Sequence, residues 1–341
     1  MTTTAPTAPA TTHPADRLTP EPIMQIASGF MAAKHLFAAS ELGLFEALAD
    51  APADIDALAA RVGLTRRAAR ISADAMVAIG LFERDGDLYR NSPVAAAFLA
   101  GRGLTDLRPL LRFWDKISYP TWEALAEVLG SGPRHQLFDL DNTAQAIFYA
   151  GIEAALAAPA VALGKVVDFS AHRRLLDVGG GTGSWSIATV TRYPHLRATV
   201  YELPVAAEIA RARVADAGLA DQISVVAGDA LSDDLPTGHD AVLVANVLHC
   251  FSPGDDATLL RRIRAAVPDG GRLLLADFWT DATHTQPLHA ALIAGEFAVH
   301  VRDGDVYSVD EVRSWLPGTG WRFLTHAPLA GPQSLIIAEA S

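Results

Sequence analysis

The sequence predicts an α/β protein: a mostly parallel sheet wound with helices in the C-terminal half, preceded by a helical and winged-helix unit. Three observations carry that expectation. From residue 173 onward, short apolar runs alternate with helical stretches, the pattern of βαβ units around a parallel sheet. The first of those runs opens directly into a glycine-rich turn, Asp177-Val-Gly179-Gly-Gly181-Thr-Gly183. Before residue 105 the order is instead helix, turn, helix, and two short strands around Asp85-Gly86.

Composition narrows the function classes. A chain of 341 residues, half of them hydrophobic and 19% charged, has material for two cores of ordinary size. A net charge of −12 disfavours nucleic-acid backbones, which call for a surplus of Lys and Arg. No run of about eighteen uncharged apolar residues occurs, so no membrane partner is expected. One cysteine, Cys250, excludes an intrachain disulfide and fits a cytoplasmic protein. Residues 1–20, rich in Thr, Ala and Pro, are expected to form a disordered leader rather than a signal peptide.

Residues 21–104 form the expected N-terminal unit. The stretch 23–48 is apolar around nearly every face, which predicts one helix covered by a partner subunit, and hence a homodimer. Residues 54–64 and 65–81 read as helices and 82–91 as two strands, a winged-helix pattern. Its DNA-binding reading rests on Arg66, Arg67 and Arg70 alone; the acidic chain favours a packing and dimerisation module. Residues 105–172 read as linking helices that roof a site, with the aromatics Phe113, Trp114, Tyr119, Trp122, Phe138, Phe148 and Tyr149. In residues 173–341 the apolar runs 173–178, 198–202, 223–228, 241–246 and 272–278 alternate with helices. The runs 321–326 and 334–340 close the chain as an edge hairpin, making seven strands.

The glycine turn does not fit a G-x-G-x-x-G dinucleotide fingerprint: counted from Gly179 or Gly181, the third glycine falls on Ser184 or Ser186. The spacing Asp-x-Gly-x-Gly-x-Gly resembles motif I of the class I methyltransferases, which implies S-adenosylmethionine as cofactor and a Rossmann-like fold. Glu202 ends the second strand at the offset where an acid meets ribose hydroxyls. Asp229 and Ala230, after the third strand, are placed to meet the adenine. With Asp177, Gly179, Gly181, Gly183 and Asn246, these residues make up the expected cofactor site.

The fourth strand delivers Asn246-Val-Leu-His249-Cys250-Phe251. As a whole the chain resembles the two-domain small-molecule methyltransferases. In their O-methyltransferase branch a His at this point is the general base on a phenol, and His249 matches it. The Asp that follows that His is Cys250 here, an assisting acid is kept as Asp277, and a Gly-x-Glu-Arg-Thr segment is replaced by Gly304-Asp-Val-Tyr-Ser308. The string Gly295-Glu296-Phe297-Ala-Val-His300 is similar to the metal-dependent α-keto acid C-methyltransferases, such as phenylpyruvate C-methyltransferase. That resemblance implies one divalent ion, zinc ahead of iron, on His249, Cys250 and His300, with Glu296 as a further ligand or proton acceptor. Two expectations follow. One is metal-assisted methylation of the β-carbon of a small α-keto acid through an enolate. The other is metal-free O-methylation of a phenolic molecule with His249 as base. Arg112, Lys116 and Arg302 are candidates for gripping a substrate carboxylate.

Overall fold

Asp54 and Thr65 start two helices of the N-terminal unit by accepting the backbone N–H groups of Ala57 and Ala68 at 2.8 and 3.2 Å. The computed structural model describes residues 18–103, 105–132 and 140–341; residues 1–17 of the expected leader, and Phe138, lie outside them. Two units, Met1–Ala96 and Ala97–Ser341, divide the chain. The first opens with α1 (Glu21–Glu41), of which only Phe37 and Ala39 are buried. The helix expected over 23–48 is broken: Gly43 takes φ 73°, and a separate turn, α2 (Leu44–Ala47), follows. Left-handed backbone is open to glycine and strained elsewhere, so the break is written at that residue. Ile23, Met24, Ile26, Phe30 and Met31 of α1 are all exposed, Ile26 at 83%.

Next come α3 (Ile55–Val62), α4 (Arg66–Ala78) and the hairpin β1 (Phe82–Asp85) with β2 (Leu88–Asn91). Their core is Phe45, Leu58, Met76, Phe82 and Tyr89, with the Phe45 and Phe82 rings edge to face at 5.3 Å. Two arginines of the basic cluster are paired with acids: Arg66 with Asp56 at 2.9 Å and Arg70 with Asp74 at 3.0 Å. α5 (Pro93–Phe98) runs across the division.

In the second unit α6 (Arg108–Phe113) continues through a π-helical turn, Trp114–Ser118, into α7 (Tyr119–Trp122), followed by α8 (Leu125–Ser131) and α9 (Asn142–Val166). By length and composition α9 could cross a membrane. Here it lies along the neighbouring helices, with Gly151 against Phe113 and the Gly164 carbonyl accepting from Arg192 Nε and Tyr193 Oη. The alternating region is β3 (Arg174–Val178), α10 (Ser184–Arg192), β4 (Arg197–Glu202), α11 (Pro204–Asp216), β5 (Ile223–Ala227), β6 (Ala241–Ala245), α12 (Pro253–Ala266), β7 (Arg272–Asp277), α13 (Leu288–His300), α14 (Val309–Gly318), β8 (Trp321–Pro328) and β9 (Ser334–Ala340).

The seven strands are ordered β5-β4-β3-β6-β7-β9-β8, with β9 antiparallel between β7 and β8 and the rest of the ladder from β5 to β7 parallel. Every residue of β6 is buried, as a central strand covered on both faces must be. Strand order reverses between β3 and β6. A crevice therefore opens beyond the carboxyl ends of those two strands, where such sheets bind ligands.

Leu243, fully buried in β6, and Val226, 38% exposed on edge strand β5, offer a contrast. Leu243→Ala should destabilise by about 2–5 kcal/mol, and Val226→Ala by less than about 0.5 kcal/mol. Urea unfolding followed by circular dichroism measures both. Equal losses would contradict the strand order.

Candidate active site

Gly179, Gly181 and Gly183 all take positive φ, 65°, 55° and 82°, so the chain leaving β3 coils in a form that side chains resist. A Cβ on Gly179 would stand 2.5 Å from Val247, which places the turn after β6 directly against it. Glu202, at the end of β4, accepts the Gly181 N–H at 2.8 Å and the Leu203 N–H at 2.7 Å, one on each carboxyl oxygen. Each oxygen keeps a second lone pair, and nothing lies within 4 Å of where a Gly181 Cβ would sit. Burial raises the Glu202 pKa above the ordinary value, against the two N–H bonds. Open backbone beside an acceptor-only group fits a ribose edge.

Asp229 is half-buried and holds its own turn, accepting the Leu231 N–H at 2.8 Å; the neighbouring Ala230 carbonyl accepts from Arg262 Nε at 2.9 Å. Asn246 sits at φ 57°, uncommon for a residue with a side chain, and its Oδ1 accepts from Gln333 Nε2 at 2.6 Å. Asp177 is placed differently from the other expected cofactor residues. It is fully buried beneath Gly180, accepts from Ser186 Oγ at 2.7 Å, and burial pushes its pKa up to about 7. It supports the turn from below.

His249 stands on a one-turn 3-10 helix, Leu248–Cys250, just past β6. Its Nδ1 donates to Asp277 Oδ1 at 2.7 Å, and the Phe278 N–H donates to the same oxygen at 2.8 Å. The Phe297 ring lies flat on the imidazole, centroids 3.8 Å apart and planes 20° off parallel. Burial alone would depress this imidazole, but the Asp277 carboxylate, aided by Cys250, outweighs it and the pKa is pushed up to about 10. Gly304 passes so close that a Cβ there would meet the His249 carbonyl oxygen at 2.0 Å, so the segment 301–308 is seated on the His249 turn.

The string from Gly295 to His300 has a local reason at each position. Gly295 takes the Trp122 indole on its face, where a Cβ would stand 2.5 Å from the ring. Glu296 accepts from Trp122 Nε1 at 2.5 Å and from Ser118 Oγ at 2.6 Å, and its Oε1 lies 3.0 Å from His300 Nε2. Burial works to raise the Glu296 pKa; His300 and the two donors more than offset it, so the carboxyl is held below its usual value. His300 Nε2 also lies 3.4 Å from Thr121 Oγ1.

These contacts correct the expected metal site. Among the described residues no three His, Cys, Asp or Glu side chains form a group able to hold a metal ion. His249 Nδ1 is committed to Asp277 and His300 Nε2 to Glu296, while Phe297 rather than His300 meets the His249 ring. The expected centre of His249, Cys250 and His300 for zinc or iron, with Glu296 as a further ligand, is therefore not supported among the described residues. Of the carboxylate-gripping candidates, Lys116 pairs with Asp115 at 2.8 Å, and Arg112 and Arg302 are exposed. Phe297, Gln333, Ser118 and Trp122 carry contacts that sequence reasoning did not assign. An aromatic next to a buried acid was the available signal for Phe297.

A family model described as an O-methyltransferase domain matches residues 123–322, and one described as an O-methyltransferase dimerisation domain matches residues 24–101. The chain belongs to the O-methyltransferase family. It is an S-adenosylmethionine-dependent methyltransferase. The methyltransferase is 33% identical to 3-hydroxy-5-methyl-1-naphthoate 3-O-methyltransferase of Streptomyces sahachiroi, covering 92% of each chain. It is 31% identical to an L-tyrosine C(3)-methyltransferase of Streptomyces lavendulae, covering 84% of this chain and 83% of that one. Its fold matches human N-acetylserotonin methyltransferase in complex with SAM at a TM-score of 0.85 and 25% identity, over 94% of this chain and 97% of the other.

Glu296→Ala should destabilise the methyltransferase by about 2–4 kcal/mol, since Ser118 Oγ and Trp122 Nε1 lose their acceptor and His300 its ion-pair partner. Glu296→Gln should lose less, and Gly295→Ala about 1–3 kcal/mol by displacing Trp122. Thermal unfolding of the three variants checks the order.

Proposed function

We propose that this methyltransferase transfers a methyl group from S-adenosylmethionine to a hydroxyl of a small phenolic molecule, with His249 as general base. The observation that carries the reading is the His249–Asp277 pair at the mouth of the crevice. Asp277 fixes the proton on Nδ1, leaving Nε2 as the nitrogen that accepts a proton from a bound hydroxyl. Glu202, Gly181, Asp229, Ala230 and Asn246 are proposed to hold the cofactor, with Asp177 acting on them through the turn. S-adenosylmethionine supplies an electrophilic methyl on sulfonium sulfur. The substrate oxygen attacks that carbon in line as its proton passes to Nε2. The O–C bond forms, the S–C bond breaks with its electrons left on sulfur, and the imidazolium later releases its proton to water. Protein catalysis here is mainly alignment plus proton removal.

The helices over 105–172 are proposed to roof this base, as Ser118 and Trp122 fasten onto Glu296 of α13. The relative named for a hydroxynaphthoate supports a phenolic acceptor and a role in specialised metabolism. The tyrosine C(3)-methyltransferase supports a second reading, methylation of a ring carbon activated by the same deprotonation. The enolate route on an α-keto acid is not carried forward, because it required three metal ligands to converge. The exposed apolar side of α1, within the segment matched to a dimerisation domain, supports a homodimer.

Assay with methyl-labelled S-adenosylmethionine against a panel of hydroxyaromatic acids, with products identified by NMR, tests the reading. Transfer to oxygen is expected; turnover of none of them would sink it. His249→Ala should lower turnover by roughly 10²–10⁴-fold. A base whose pKa is raised to about 10 is neutral only toward alkaline pH, so kcat/KM should climb as pH rises toward that value. The stability that the imidazolium–Asp277 pair contributes is full below pH about 6.5 and is lost over the same climb. Asp277→Asn removes the charge, lowers the His249 pKa and should move the rising limb to lower pH. A rising limb that stays in place in this variant would rule out Asp277 as the cause of the shift. Sedimentation at micromolar concentration should show a dimer; monomer alone would remove the proposed role of α1.

A further inference from the structure

Tyr201 of β4 touches both turns proposed to hold the cofactor. Its carbonyl accepts the Gly179 N–H at 2.8 Å, where the glycine turn begins. Its ring reaches the other way. Val226 of β5 is its register partner, and the ring end lies against Gly228, two residues further on. A Cβ on Gly228 would stand 3.0 Å from Tyr201 Cε2, 2.6 Å from Cζ and closer still to the hydroxyl oxygen. Gly228 does not take a positive φ, so its backbone asks for no glycine; the phenol does. The ring cannot easily give way, since Tyr201 is 2% exposed and packs in one core cluster with Leu176, Val178 and Val242. The turn after Gly228 is tied back by the Gly228 N–H, which donates to the Glu202 carbonyl at 3.0 Å, and by Arg262 Nε, which donates to the Ala230 carbonyl at 2.9 Å. The Tyr201 hydroxyl itself is buried and has no hydrogen-bond partner. Such an orphan costs stability, so core packing alone would favour phenylalanine at this position. Burial, and after it the charges of Asp233 and Asp229, hold the phenol pKa above its ordinary value, so the hydroxyl stays neutral.

We propose that Tyr201 is a positioning residue for the adenine end of the cofactor: its hydroxyl is the stop against which Gly228 rests, and it sets how far Asp229 and Ala230 stand from the glycine turn. Without the oxygen, Gly228 settles inward. With a methyl on Gly228, the turn is driven outward. Either change moves Asp229 relative to Glu202, which is fixed on the same strand as Tyr201. Both errors weaken nucleoside binding, although no group proposed to touch the nucleoside has been altered. The inference rests on the proposed place of Asp229 and Ala230 at the cofactor.

Calorimetric titration of the full-length protein with S-adenosylhomocysteine, beside thermal melts without ligand, tests the proposal. Tyr201→Phe should melt no lower than the wild-type protein and yet bind S-adenosylhomocysteine about three- to tenfold more weakly. Loss of packing alone would not separate the two readouts in that way. Gly228→Ala should weaken binding by about tenfold. Tyr201→Leu removes every ring atom that the new methyl would meet, so the Gly228→Ala/Tyr201→Leu double variant should bind more tightly than Gly228→Ala. Asp229→Ala examines the placement beneath the inference: unchanged affinity there removes Asp229 from the cofactor, and the inference falls with it. If Asp229→Ala weakens binding while Tyr201→Phe binds as tightly as the wild-type protein, the placement stands and the role of Tyr201 is overturned. A double variant no better than Gly228→Ala overturns it as well; should that variant not fold, the phenylalanine variant decides alone.

Discussion

Val247 presses on the open face of Gly179, and that contact fixes where everything else at the site can stand. It exists because strand order reverses between β3 and β6, so the turns leaving their carboxyl ends run in opposite directions from neighbouring strands. One turn carries the glycines proposed to expose backbone to the cofactor. The other carries Asn246 and His249. A side chain at position 179 would separate the two turns, and the cofactor end of the site would no longer be in register with the reaction end. Beneath the first turn, Asp177 and Ser186 hold the backbone from inside the sheet layer. The chemistry is thus set by a packing constraint before any ionisable group is considered.

The reaction end is organised around buried charge. Asp277 faces the His249 imidazole, and Glu296 faces a second imidazole, an indole N–H and a serine hydroxyl. Both acids are inside low-dielectric surroundings where an unpaired carboxylate is costly, so each has drawn donors from elements far away in sequence. Ser118 lies 178 residues from Glu296. The π-helical turn that presents Ser118 lies at a place where such turns often mark function. Phe297, stacked on His249, ties the two clusters into one wall and covers one face of the imidazole.

Similarity to enzymes named for oxygen and for carbon acceptors is consistent with this arrangement. Removing a phenolic proton serves either atom, since the charge released is shared between the oxygen and the ring. Under the proposed function, which atom meets the methyl is then a matter of how the substrate ring is oriented, and not of the proposed base.

The sequence by itself determined the strand alternation, the glycine turn, the acids at strand ends and the helix–helix–hairpin order. Each of these depends on spacing along a few residues, and strand ends in such a sheet all point to one edge. The break at Gly43 was not anticipated, because the apolar pattern runs through it; the left-handed backbone at that residue divides the helix. Partner choice was decided only by the tertiary structure. That His300 pairs with Glu296, that Phe297 rather than His300 meets His249, and that Gln333 reaches Asn246 across 87 residues are facts of side-chain geometry. A ligand set inferred from spacing assumes that residues near in a motif face one point. In a helix they need not: positions 297 and 300 differ by about 60° around the axis and about 4.5 Å along it, enough for one ring to stack on His249 while the other pairs with Glu296.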